Sequence, residues 1–485
     1  MRRGWLAITA LVLLAGCSRT PTGVVNDVAQ TLGAANVKTI QYSGSGAAFA
    51  LGQSVSPNEA WPRFNLKSYT RTVDYEKEAL RDEDVRTQFE DPPRGGGLQP
   101  VVGERRAVGF FGGDKAWNVG ADGAPTPAPA AAEERHLQIW VTPHGWVKAA
   151  AESNPTMESR TVDGRQVTVV SFTLHGKYKV NGYVNEQNLL EKVETWLPNP
   201  VLGDMLVETS YSDYKDFGGV QFPTKIVQAQ GGFPVLDLTV SEVKPNAPAD
   251  IAVPEPVQQA PPAAVRVESQ RVADGVWYIT GGSHHSVLVE FKDFVTVVEG
   301  PLTEERSLAV IAEVKKLVPE KPIKYLVNTH HHFDHLGGVR TYVAEGATIV
   351  THESNKPYFE KVWQAPRMIS ADKLSQSPRP ATFETFTDTH TLTDGARTLE
   401  LHHIQGSRHN ESIVMAWLPR ERVLIEADVF TPPPPNAPPP AVVSVFTQNL
   451  DENIRRLKLD VRQILPIHGR IVTMADVRKA LQKPS

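Results

Sequence analysis

The chain has 485 residues, too many for one compact core, and at ~150 residues per domain it divides into two or three units, of which two fits the pattern best. With 40% hydrophobic and 22% charged residues the composition is that of ordinary globular protein, so long disorder is not the default anywhere. A formal net charge of −5 gives no reason to expect a nucleic-acid surface.

Arg2 and Arg3 precede an apolar run from Trp5 to Leu14. The run is too short for a permanent membrane span and suits the centre of an export signal. It ends in Leu14-Ala15-Gly16-Cys17, which resembles the lipobox of bacterial lipoproteins, where the signal is cut before the cysteine and the cysteine is lipidated. Cys17 is the only cysteine, so an exported chain can form no internal disulfide and lipidation gives the residue a purpose. Residues 1–17 are therefore expected as a lipoprotein signal and 18–36 as a tether. Acyl chains on Cys17 would hold the protein at the periplasmic face of a membrane while its domains stay in water. Ser18, standing where an aspartate would favour inner-membrane retention by family analogy, points to the outer membrane.

From about Val37 to Lys244 the chain reads as strand. β-rich runs such as Arg165 to Leu174 and Leu206 to Tyr211 are separated by turn signals, among them Asn181-Gly182 and Gly218-Gly219, which predicts a mainly antiparallel β domain. Two stretches rich in Pro, Gly and Ala, Asp91 to Pro100 and Gly123 to Ala132, are expected as exposed loops without chemistry. The later part, with Tyr178 to Leu197, Gly203-Asp204, Tyr211 and Phe217-Gly218-Gly219-Val220, resembles the curved half-barrels of periplasmic lipoprotein carriers. Prolines and alanines crowd residues 245–265, a linker. Beyond it, strand patterns at Gly275 to Thr280, Ser286 to Glu290 and Val295 to Val298 lead to a helix from Thr303 to Leu317. Alternating strand and helix signals then continue to the end, so residues 266–485 are expected as a packed α/β domain.

The strand Ile323 to Val327 runs into Asn328-Thr329-His330-His331-His332-Phe333-Asp334-His335-Leu336-Gly337-Gly338. A loop can turn His330 and His332 toward one ion while Asp334 and His335 face a neighbouring site, because imidazole nitrogen and carboxylate oxygen both suit zinc at ~2.0–2.2 Å. A chance run of solvated loop histidines is the bland reading. His-x-His-x-Asp-His after a strand is more specific than that.

These residues match the signature of the metallo-β-lactamase superfamily, and three downstream segments resemble the rest of its pattern in order. They are Gly406-Ser407-Arg408-His409, Arg422 to Asp428, and Leu465-Pro466-Ile467-His468-Gly469. The resemblance implies a four-layered αβ/βα sandwich and two zinc ions, with manganese or iron also compatible with the donors. It implies that His330, His332 and His409 bind the first ion, that Asp334, His335 and His468 bind the second, and that Asp428 bridges them. Hydroxide between the ions would attack an ester, lactone, amide or related group, with Asp334 handling its proton. His402 and His403 compete with His409 but lack the following strand in register, and are expected to be structural. Asp428 favours a glyoxalase II or lactonase type of ligand set over true β-lactamases, where that position is usually cysteine or serine. His332 excludes the diiron flavoprotein pattern, which has glutamate there, and the spacing from His409 to Asp428 leaves no room for the domain inserted in nucleases.

Glu299 stands where an aspartate often supports the metal loops and could accept a hydrogen bond from a ligand histidine. His284 and His285 lie in a loop that could contact substrate. The proline-rich Thr431 to Pro440 is expected as a stiff rim beside the metals. Two rival readings remain at this level: a lipid- or partner-binding lipoprotein whose metal domain is only structural, and a β-lactamase-like antibiotic hydrolase.

Overall fold

The computed structural model describes residues 19–262 and 264–483; the export signal, the lipobox and Cys17 lie outside the described residues. The first described element corrects the sequence reading. Instead of a tether, Pro21–Leu32 is an α-helix capped by the Thr20 side chain and by Gly33 in the left-handed conformation. Its Val24, Val25, Val28 and Leu32 recur at helical spacing and are all buried in the first core, so the segment gains too much apolar contact to stay free.

That core belongs to one antiparallel sheet of thirteen strands running from Thr39–Phe49 to Phe233–Pro245. Neighbours in the chain are neighbours in the sheet with one break: Pro125–Pro127 and Thr156–Val162, consecutive in the chain, form its two edges, while the first and last strands pair with each other at its centre. Three helices, Pro21–Leu32, Ala132–Trp140 and Pro143–Ala151, bury their apolar sides against strand residues such as Ile40, Leu66, Val73, Phe222 and Leu238. The strand Arg165–Leu174 falls where the alternation placed it. Asn181-Gly182 does not form the expected turn and lies inside the strand Tyr178–Val184. The ring of Trp146 presses on the Gly182 backbone so closely that a Cβ there would sit 2.2 Å from Trp146 Cε2, which explains a glycine without any turn. The 245–265 segment contains a short helix, Glu255–Gln258, with Val257 buried.

The C-terminal part has a seven-stranded sheet from Glu268–Ala273 to Thr382–Phe386 and a five-stranded sheet from Thr389–Thr393 to Gln463–Pro466. Their facing residues, including Val287, Val289 and Val327 on one and Leu399, Val414 and Leu465 on the other, form a shared core. The outer face of the first sheet is covered by Glu304–Leu317, Val339–Glu345 and Asn355–Val362, and that of the second by Val445–Arg456 and Met474–Ala480. The order helix, sheet, sheet, helix is the expected αβ/βα sandwich. Strands Val295–Val298 and Ile323–Val327 pair in parallel, as do Val423–Glu426 and Gln463–Pro466, and their carboxyl ends meet at one edge of the sandwich. Glu299, the histidine-rich loop, Asp428 and His468 all follow those ends, where open α/β sheets commonly place ligands. Among the described residues no helix is long and apolar enough to cross a membrane.

The two parts are joined by specific polar contacts. Arg367 donates to the carbonyls of Asn199 and Val201, and Asp204 accepts from the backbone N–H of Met368 and Ile369. On another side the ring of Trp61 meets Phe333 edge-on at 5.5 Å, directly beside the histidine-rich loop.

Candidate metal centre

Two groups of donors form at the sheet edge: His330, His332, His409 and Asp428, and next to it His284, Asp334, His335 and His468. Asp428 Oδ2 lies 3.1 Å from His409 Nε2 and 3.5 Å from His330 Nε2, while Oδ1 lies 2.7 Å from His468 Nε2 and 3.1 Å from His335 Nε2. One carboxylate thus presents an oxygen to each group, the geometry a bridging residue requires. His330 Nε2, His332 Nδ1, His409 Nε2 and Asp428 Oδ1 are buried and make no hydrogen bond, although they crowd together. Buried polar atoms left in this state are rare, and a shared cation is the partner that satisfies them all at once. The donors therefore fit the metals that the sequence implies.

The opposite ring nitrogens are tied down. Those bonds decide which nitrogen faces inward. His332 Nε2 donates to the carbonyl of Ser54 at 2.8 Å, which leaves Nδ1 for the ion. His335 Nδ1 faces Glu299 Oε2 at 2.9 Å, and Glu299 Oε1 accepts from the backbone N–H of Thr329 at 2.6 Å. Glu299 thereby steadies both a donor and the loop that carries it. Glu299 and Asp428 both have φ in the left-handed region, 74° and 65°, at the ends of their strands. Non-glycine residues there store about 1–3 kcal/mol of strain, which fits a backbone held for a site. Replacing Glu299 by alanine is expected to weaken metal binding about 10–100-fold, the usual scale for a lost ligand-orienting partner. Competition with a chromophoric chelator measures it, and wild-type affinity in the variant would remove Glu299 from this role.

The charges point the same way. Burial pushes His330 down to about 3, so this ring is a neutral donor with a free lone pair. His335 is also fully buried, but Asp428, Asp334 and Glu299 outweigh that burial and hold it well above the usual histidine value. Asp428 is held well below the usual carboxylate range by His335 and His468 despite its burial. The site thus keeps an anionic carboxylate in a place with little water, where positive charge is favoured.

The remaining candidates separate. His331 is buried away from the donors, with Nδ1 3.0 Å from Asn410 Nδ2. His402 pairs with Glu400 and His403 with the carbonyl of Glu411, outside both groups. His284 enters the second group, its Nε2 3.1 Å from Asp334 Oδ2. His285 does not face the mouth: its Nε2 donates to the Gly469 carbonyl at 2.7 Å, and it lines a separate hollow with Tyr278 and Arg470. A loop position alone could not tell these adjacent residues apart, because the strand that follows sends successive side chains to opposite faces. Of the proline-rich rim, Thr431 borders the mouth.

The N-terminal part enters the site, which the sequence reading did not foresee. The cavity at the mouth, about 270 Å³, is lined by Gln53 and the backbone-rich Gly96 to Gln99 as well as by Asp334, His409, Asp428, Phe446 and His468. Gln53 Nε2 donates to Asp334 Oδ1 at 2.8 Å, and Gln53 Oε1 accepts from the N–H of Gly97 at 3.1 Å. Gly95 N–H donates to the Arg408 carbonyl, Glu411 N–H to the Val55 carbonyl, and Arg408 reaches the carbonyls of Pro92 and Pro93. The segment from Asp91 to Pro100, expected as an exposed loop without chemistry, is thus a wall of the cavity. The run Gly95-Gly96-Gly97 was the available signal, since glycines allow a backbone to approach a neighbour closely.

Residues 279–464 match the model of the metallo-beta-lactamase superfamily, and the C-terminal part of the chain is a domain of that superfamily. Over 75 residues the chain is 33% identical to a linear primary-alkylsulfatase from Pseudomonas sp, a match that covers 15% of this chain and 11% of that protein. Among solved structures, the metallo-beta-lactamase from Pontibacter korlensis is 18% identical, with 45% of this chain and 98% of that one covered and a TM-score of 0.34. The metallo-beta-lactamase FIM-1 from Pseudomonas aeruginosa, in its mono-zinc form, is 19% identical, with coverage of 46% and 96% and a TM-score of 0.35.

Proposed function

We propose that the protein is a metal-dependent hydrolase with a two-metal centre, acting on an ester, lactone, amide or related small molecule. The observation that carries this reading is Asp428, whose two oxygens face two adjacent groups of donors. His330, His332 and His409 would hold the first ion and Asp334, His335 and His468 the second, with Asp428 between them. Two dications so placed supply Lewis acidity and make water acidic enough to lose a proton near neutral pH. Asp334 Oδ1 is fixed by Gln53, so Oδ2 is left to face the centre and receive or orient a proton. Gly96 to Gln99, Thr431 and Phe446 restrict the approach and exclude part of the bulk water.

No lysine or arginine lines this cavity among the described residues. A substrate whose recognition requires a second anion, such as the carboxylate of a β-lactam, would find no cationic side chain there, which favours neutral esters and lactones. The similarity to an alkylsulfatase adds sulfate esters to the substrates worth testing. On this reading the chain is exported and held at the periplasmic face of a bacterial membrane by a lipid on Cys17, with no nucleic-acid partner.

Elemental analysis of the purified protein is expected to give two metal equivalents, zinc with manganese or iron as alternatives. Chelation should abolish turnover of a panel of esters, lactones, amides, β-lactams and sulfate esters, and added metal should restore it. A chelated protein that keeps its turnover would refute metal-dependent hydrolysis. A metal-loaded protein inert on the whole panel would instead favour a binding lipoprotein.

A further inference from the structure

His284 is buried, and it comes from a segment remote in sequence from the other donors. Its backbone forms an isolated bridge with His468, and the two rings meet edge-on with centroids 4.0 Å apart. Arg306 donates to the His284 carbonyl at 3.3 Å, which fixes the main chain from the other side. Ser283 Oγ lies 2.9 Å from Nδ1, so the ring is oriented with Nε2 pointing inward. One donor atom from each of His284, Asp334, His335 and His468 lies within 4.8 Å of every other. His284 Nε2 is 3.1 Å from Asp334 Oδ2, and His335 Nε2 is 3.2 Å from His468 Nε2. Asp428 Oδ1 adds contacts of 2.7 Å and 3.1 Å to the last two rings. Donors about one ion at ~2.1 Å are ~3.0 Å apart at right angles and ~3.4 Å apart at tetrahedral corners, so these spacings suit a single shared ion, with His335 Nε2 and Asp334 Oδ2 wider apart at 3.8 Å.

We propose that His284 is an additional metal ligand, making the second position a site of three histidines and two aspartates beside a first position of three histidines and one aspartate. Five protein donors leave room for one more ligand in a six-coordinate shell. Manganese(II) and iron(II) accept such a shell readily, whereas zinc prefers four or five ligands. The second position therefore discriminates against zinc relative to the first, and the loaded protein carries a mixed pair of metals when both kinds are supplied. This inference rests on the two-metal reading above.

The test is a metal titration of the chelator-stripped protein, with zinc(II) and manganese(II) separately and in equal mixture, read by elemental analysis and by the absorption of the cobalt(II)-loaded form. Wild type is expected to take two equivalents, one of them selective for manganese, with a weak six-coordinate cobalt band. His284→Ala should keep the first equivalent and bind manganese at the second at least about tenfold more weakly, as loss of a direct donor requires. Its cobalt band should intensify as the coordination number falls. His284→Gln should behave likewise, and His285→Ala, which faces away from the donors, should match wild type. Circular dichroism of the stripped variants checks that each is folded. Two equivalents with unchanged selectivity and spectrum in folded His284→Ala would overturn the proposal, as would the same loss in His285→Ala. Fewer than two equivalents in wild type would defeat the two-metal reading itself, and this inference with it.

Discussion

Replacing Asp428 by alanine is expected to remove metal from both positions and to lower turnover by more than about a hundredfold, beyond the usual effect of losing a ligand-orienting partner. The carboxylate has one oxygen against His330 and His409 and the other against His335 and His468, so a single truncation withdraws a donor from each group. It also withdraws the charge that keeps two cations close together. The fold should survive. Asp428 lies two residues beyond the strand Val423–Glu426 at the sheet edge and takes no part in the core between the sheets, which is made by Ile425, Ala427 and their neighbours. Alanine inherits the φ of 65° that the aspartate already bears, so the backbone adds only the difference between the two residues, less than about 1 kcal/mol. The comparison must be made between metal-stripped proteins, because bound metal stabilises wild type by mass action and would exaggerate the loss. Stripped wild type and stripped variant should then melt within a few degrees of each other, about 2–4 °C per kcal/mol in a domain of this size. A variant that retains both metals and near-normal turnover would show Asp428 to be a turn residue and would sink the bridging role.

The residues that proved legible in the sequence share a physical reason. Candidate metal donors are chemically distinctive residue types, so His330, His332, Asp334, His335, His409, Asp428 and His468 stood out, and the structure brings them into two adjacent groups. Short β-rich apolar runs such as Ser286–Glu290 and Ile323–Val327 could be placed because strands covered on both faces read as near-continuous apolar segments bounded by polar residues. Misplaced elements are those whose outcome depends on distant partners. Residues 21–32 look like linker because one short helix is marginal alone, and only the large sheet supplies the surface that Val24, Val25, Val28 and Leu32 bury. Gly182 reads as a turn because the local chain cannot reveal that Trp146 will pack on it. Gln53 and Ser54 carried no signal at all: a glutamine side chain and a backbone carbonyl become part of the site only because two separate parts of the chain dock.

Gln53→Leu tests whether that docking is functional, and it should weaken the second metal position about 10–100-fold and lower turnover with it. Gln53 holds Asp334 Oδ1 at 2.8 Å while its own Oε1 is held by the Gly97 N–H at 3.1 Å, so the side chain links the Asp91 to Pro100 wall to a metal donor. Leucine has similar bulk and keeps the packing, but it leaves Asp334 Oδ1 without its donor, with only Oδ2 still held by His284, and the Gly97 N–H without its partner. The loss of such bonds costs roughly 1–3 kcal/mol, so the melting temperature should fall only modestly. Gly96→Ala approaches the same contact from the other side. A Cβ on Gly96 would lie 1.9 Å from Gln53 Oε1, the far end of a flexible side chain that can swing away at little cost to the fold. It would also lie 3.0 Å from His332 Cε1, a ring fixed by the Ser54 carbonyl, so the glutamine is the group that must give. The two variants should therefore share one phenotype, with weakened second-metal binding, reduced turnover and a nearly intact fold, while the first metal is retained. Metal titration beside a melting curve on both proteins distinguishes the outcomes. If both keep two metals and full turnover, the N-terminal sheet merely covers the centre, and Asp334 is positioned by the C-terminal domain alone.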